Sequence, residues 1–88
     1  MSEKDLLEII AEVDNQEKYF GIIPIYPIYQ RVKIKFTINE FHSLILEMES
    51  KNLIYLETIN DINRLNIEEK NTAIYDPVRG YLYYIGRW

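Results

Sequence analysis

Residues 37–56, TINEFHSLILEMESKNLIYL, constrain the fold more than any other stretch, because they read as one capped helix running directly into one strand. Thr37 and Glu40 have the spacing of a capping box. In such a box the threonine hydroxyl accepts from the backbone N–H three residues on, and the glutamate accepts from the threonine N–H. Phe41, Leu44, Ile45 and Met48 then recur at i, i+3, i+4 and i+7, which is one face of a helix. Lys51 places a cation near the helix C-terminus, and Asn52 tolerates the left-handed backbone that ends many helices. Residues 53–59 are aliphatic, aromatic and β-branched, and are predicted to form a strand.

The chain has 88 residues, enough for a single domain over 1–88. A chain this short buries only about two thirds of its unfolded surface. With 48% hydrophobic residues it can still fill a core and leave some apolar side chains over. It has no cysteine, which excludes disulfides and thiolate metal sites. Its first residues open an acidic amphipathic segment unlike a signal or transit peptide, and no apolar run approaches the ~20 residues needed to span a bilayer. The expectation is a cytoplasmic protein without membrane attachment. The net charge of −4 is unevenly placed. Glu3, Asp5, Glu8, Glu12, Asp14 and Glu17 against Lys4 give residues 1–17 a charge of −5, leaving residues 18–88 at +1. The acidity therefore belongs to the first helix, and the total does not exclude a nucleic-acid partner.

In chain order, Ser2 and Asp5 mark a helix start, and Leu6, Ile9, Ile10 and Val13 form its apolar face. That helix is expected to extend toward Phe20 and to stop at Gly21. Pro24 and Pro27 forbid a central strand, but proline suits a first helical turn, so a second helix is predicted over Ile25–Val32. Arg31, Lys33 and Lys35 follow in the turn before the third helix, the densest run of cations in the chain. Residues 60–71 are polar, with Ile62, Leu65 and Ile67 as anchors around one helical turn. Residues 72–76 and 81–85 are short strands, joined by the turn Pro77-Val78-Arg79-Gly80. Three strands then make a small antiparallel sheet, the last two as a hairpin.

This order resembles small winged helix-turn-helix proteins over nearly the whole chain. The stretches PIYPIYQRV, TINEFHSLILEM and DPVRGYLYYI are similar to short winged-helix proteins of bacteria and archaea. The resemblance implies an α+β fold of three helices and a small antiparallel sheet with a β-hairpin wing. In most winged-helix families the third helix enters the DNA major groove, and the wing touches the minor groove or the backbone. Here the outer side of the third helix offers His42, Ser43, Leu46 and Glu47, with Glu49 and Ser50, and no arginine or lysine before Lys51. The cations available to phosphate are Arg31, Lys33, Lys35, Arg64 and Arg79.

Catalytic chemistry has little support. His42 is the only histidine, and its neighbours Glu40 and Ser43 lie at helical offsets that do not face it. Glu68-Glu69 and the Glu47/Glu49 pair lack the converging oxygen ligands of a hard-cation site. Gly21, Gly80 and Gly86 are isolated, so no phosphate-binding glycine loop exists. The expectation is a non-enzyme with no metal or cofactor. Tyr81 and Tyr83 point to one side of the last strand, and with Trp88 they are candidates for a partner interface, in a homodimer or a larger complex. Two functions remain: a small DNA-binding regulator with weak, salt-sensitive binding, and a protein-interaction subunit of a DNA- or RNA-processing assembly.

Overall fold

The computed structural model describes residues 2–88 and shows an α+β fold. Helices α1 (Glu3–Glu17), α2 (Ile25–Val32), α3 (Ile38–Ser50) and α4 (Ile67–Thr72) accompany strands β1 (Ile22–Pro24), β2 (Tyr55–Thr58), β3 (Ile74–Asp76) and β4 (Gly80–Gly86). A 3-10 turn lies at Ile62–Arg64. Each longer helix starts where its side chains satisfy the first backbone donors. Ser2 with Asp5 and Thr37 with Glu40 both form complete capping boxes, as their spacing predicts. A third box, Asn66 with Glu69, starts α4, which is longer than the one turn expected there.

The end of α3 sets the direction of the strand behind it. Asn52 adopts φ 60°, its N–H donates to Glu49 O at 3.0 Å, and Leu53 N–H donates to Met48 O at 3.0 Å. This pair of bonds is a Schellman stop, with asparagine in the usual glycine position. The chain then turns Ile54 into the core and enters β2 two residues later than the sequence suggests. The first helix ends earlier than expected. Lys18 takes φ 58° and its N–H donates to Asp14 O, so the stop falls before Gly21.

All strand pairs are antiparallel, and β4 is the centre of the sheet. Strand β2 lies along one side of β4; β1 and β3 share the other, β1 beside its C-terminal half and β3 beside its N-terminal half. The prolines at 24 and 27 do keep this segment out of the sheet centre, but three residues before α2 pair as an edge strand that the sequence reading omits. The sheet therefore has four strands rather than three. The β3–β4 hairpin is present, turning through residues 77–79 with Gly80 at φ 96°.

One irregularity reorders the last strand. Against β2, Glu57 pairs with Tyr84 but Thr58 pairs with Leu82, so Tyr83 is the extra residue of a bulge. Leu82 and Ile85, three positions apart, are consequently both fully buried, opposite buried Ile74 and Ile23. Strict alternation would have put one of them outside. Tyr83 is 2% exposed. This corrects its expected place at a partner interface, since the residue belongs to the core.

The core joins Leu6, Ile10 and Val13 of α1, Ile25, Ile28 and Val32 of α2, and Phe41, Ile45 and Met48 of α3 to the inner face of the sheet. Each fully buried aliphatic or aromatic side chain contributes about 1.5–3 kcal/mol. The last turn of α1 and the loop before β1 are tied to the residue after β4 at one polar point. Asp14, 7% exposed, accepts from Gly21 N–H at 3.1 Å and from Arg87 Nη1 at 2.7 Å, while Arg87 N–H donates to Gly21 O at 2.8 Å. Burial opposes the charge on Asp14, but the Gly21 N–H and the Arg87 guanidinium outweigh it and hold the carboxyl below its ordinary value.

Candidate functional site

The turn after α2 carries the cations singled out from the sequence, and the structure divides them. Arg31 turns back to α1, where Nη2 meets Glu12 Oε2 at 2.8 Å and Nη1 donates to Gln16 at 3.4 Å. Lys33 donates to Gln30 Oε1 at 2.8 Å. Lys33 and Lys35 are exposed and form no ion pair among the described residues. Between them Ile34 is 96% exposed. The turn is held by Lys35 N–H and Phe36 N–H, both donating to Val32 O. It projects just ahead of the α3 N-terminus.

Arg79 is placed differently from a free cation at a hairpin tip. Its Nη1 and Nη2 meet Glu49 Oε2 and Oε1 of α3 at 2.7 and 3.0 Å, and its Nε meets Asp76 Oδ2 at 3.0 Å. Those two carboxylates, Glu49 first, raise its pKa further above the ordinary arginine value. With five donors in a rigid fork, three are already engaged, so Arg79 braces the hairpin against α3. Arg64 is exposed and lines a separate hollow of about 340 Å³ with Asp61, Leu65 and Tyr84.

The outer face of α3 is neutral to acidic, as its sequence indicates. Asn39, Glu40, Ser43, Leu44 and Glu47 line a shallow depression there. Leu46 is 38% exposed. The first cation along this helix is Lys51, and it is shared between Glu3 at 3.1 Å and Glu47 at 3.5 Å. His42 is half-buried, and its Nε2–H donates to Thr72 O at 2.8 Å. Burial pushes its pKa down, only partly opposed by that bond. His42 thus joins α3 to α4 instead of standing free on the surface.

Of the expected partner residues, Tyr81 and Trp88 are on the surface and Tyr83 is not. Tyr81 packs on Tyr75 with ring centroids 5.1 Å apart. Trp88 lies on Tyr55 at 4.8 Å, and its indole N–H donates to Asn52 O at 3.0 Å. The last residue is therefore anchored even though its outer face is open.

One feature lay outside the sequence reading. A groove of about 520 Å³ runs along the seam of α2 and α4, between Tyr26 and Tyr29 on one side and Glu68, Asn71 and Thr72 on the other. Its position depends on packing α4 against α2, which no local pattern encodes. The capping box at Asn66 was the one available signal. Among the described residues no group of histidines and carboxylates is arranged to hold a metal, and no helix is long and apolar enough to cross a membrane. Comparison with protein-family models, curated proteins and solved structures finds no match to this chain.

Proposed function

We propose that this chain is a winged-helix protein that associates with nucleic acid without catalysing a reaction, binding weakly, with strong salt dependence and little sequence preference. The fold reading is supported by the order α1–β1–α2–α3–β2 and by the return of β4 between β1 and β2. The single observation that carries the functional reading is the turn after α2, where Lys33 and Lys35 are exposed and form no ion pair among the described residues, Asp5 being near enough to feel the Lys35 charge without bonding to it. Exposed cations suit phosphate contact, and bidentate reading of guanine needs an arginine or lysine, which the outer face of α3 lacks before Lys51, while Glu40 and Glu47 there repel phosphate. The contact therefore runs through the turn, with Arg31 and Arg64 as secondary cations and Arg79 as a brace.

The test is fluorescence anisotropy with a mixed-sequence duplex from about 50 to about 200 mM salt. Lys33→Ala and Lys35→Ala should each weaken binding and reduce the salt slope by about one. Tight binding to one defined sequence, abolished by Ser43→Ala, would overturn the reading.

A protein-interaction role is the second reading, favoured by one observation. Phe20, Ile34, Ile67, Val78 and Trp88 are each more than 70% exposed. Phe20 also sits at φ 58°, a backbone conformation costly for an aromatic residue. A homodimer or a hetero-complex would cover such side chains. Light scattering and capture from native lysate separate the two readings.

A further inference from the structure

We propose that the groove between α2 and α4 is a binding site for an unstacked base of single-stranded nucleic acid. The inference deepens the nucleic-acid reading above and rests on it through Lys33, which belongs to both surfaces.

The groove is open to solvent along one side and offers about 520 Å³, within the range of small-ligand pockets. Two tyrosines give it aromatic walls, and both are fixed by the protein. Tyr26 Oη donates to Glu68 Oε2 across the seam at 2.9 Å. Tyr29 Oη donates to Phe36 O at 3.3 Å, and its ring packs on Phe41 with centroids 5.1 Å apart. A ligand entering the groove thus has little ordering of these rings left to oppose it. Gln30 and Asn71 stand at the lining with primary amides: Asn71 offers a donor pair and an acceptor to a base edge, and Gln30, whose Oε1 already accepts from Lys33 at 2.8 Å, offers its amide donors. Lys33 stands at the same wall, with Lys35 two residues further along the exposed turn.

Aromatic rings, amides and a flanking cation are the groups by which proteins hold single strands: rings stack the base, amides read its edge, and cations meet the phosphate. Glu68, the one acid of the lining, accepts the Tyr26 hydroxyl and so has a donor of its own. A base paired within a duplex cannot enter a recess of this kind, because its edges and faces are already covered. The surface for duplex phosphates and the groove for a base are then adjacent but separable.

The experiment uses the full chain and fluorescein-labelled oligodeoxythymidylate and oligodeoxyadenylate of about twelve nucleotides, with a duplex of the same length for comparison. Anisotropy at low salt should show one of the single strands bound about tenfold more tightly than the duplex. Asn71→Ala, at an exposed position, should lower single-strand affinity and leave duplex affinity unchanged. Tyr26→Ala should lower it by about tenfold, and Tyr26→Phe much less, since the ring is retained. Circular dichroism of each variant checks that the fold is intact. Single strands bound no more tightly than duplex overturn the proposal, as does an Asn71→Ala variant with unchanged single-strand affinity. Duplex binding lost while single-strand binding persists would instead overturn the turn-based reading and leave the groove standing. Binding of a peptide in the groove with no response to any oligonucleotide would overturn the groove proposal.

Discussion

Arg79 in the hairpin turn grips Glu49 on α3 with two parallel hydrogen bonds, 2.7 and 3.0 Å long, while Asp76 holds its third nitrogen. The two residues are 30 positions apart, so the contact fixes the hairpin's angle to the helix. A free arginine at the same place would be mobile and open to phosphate.

This relationship sets an expectation for mutants. The pair is partly solvated, with side chains 39% and 23% exposed, so its worth is near the upper end for surface pairs, about 1 kcal/mol. Arg79→Ala should lower stability by about that amount and change duplex affinity little. A double-mutant cycle with Glu49→Gln in urea unfolding measures the coupling. A zero coupling with a large loss of duplex affinity would mean that Arg79 is a phosphate contact after all.

The half-buried His42 gives the protein a pH-dependent stability. Burial lowers its folded pKa below the unfolded value of about 6.5. Between those two values the unfolded chain binds the proton and the folded one does not. Stability is therefore full above about pH 6.5 and falls as pH drops toward the folded pKa. Urea unfolding at pH 7.5 and 5.5 should show a loss on the acidic side of up to about 1 kcal/mol. His42→Gln should flatten that difference. No change with pH in the native protein would contradict the assignment.

The Tyr83 hydroxyl is buried and meets no partner at full hydrogen-bonding geometry among the described residues, although the Tyr26 backbone and the Glu69 carboxylate lie close to it. Burial raises its pKa, with the Glu69 charge acting in the same direction. An unpaired buried hydroxyl costs about 1–3 kcal/mol. Tyr83→Phe should therefore be neutral or stabilising, by up to about 1 kcal/mol, in a thermal or urea unfolding experiment. A clear destabilisation would show that the hydroxyl has a partner in solution.

Much of the fold was legible because it is written locally. Two capping boxes, the apolar faces of α1 to α3 and the left-handed Asn52 each depend on residues within a few positions. The parts that were not legible depend on distant partners. Residues 22–24 become a strand only because β4 offers them an edge, and Tyr83 is buried only because Thr58 pairs with Leu82. Among the candidate cations, composition could locate Lys33 and Arg79 equally well. Only tertiary packing separates the exposed lysine from the arginine engaged by Glu49 and Asp76. The groove at α2 and α4 was hidden for the same reason, since Tyr26 and Glu68 are 42 positions apart.

The central claim is that nucleic acid meets the turn after α2 and not the outer face of α3. Amide chemical-shift mapping of the full chain, titrated with a mixed-sequence duplex at low salt, addresses it most directly. The expected result is shifts concentrated at Lys33, Ile34 and Lys35, fading as salt is raised, with Asn39, Ser43 and Glu47 nearly unmoved. Shifts centred on Ser43 and Glu47, or no shifts at low salt, would contradict it.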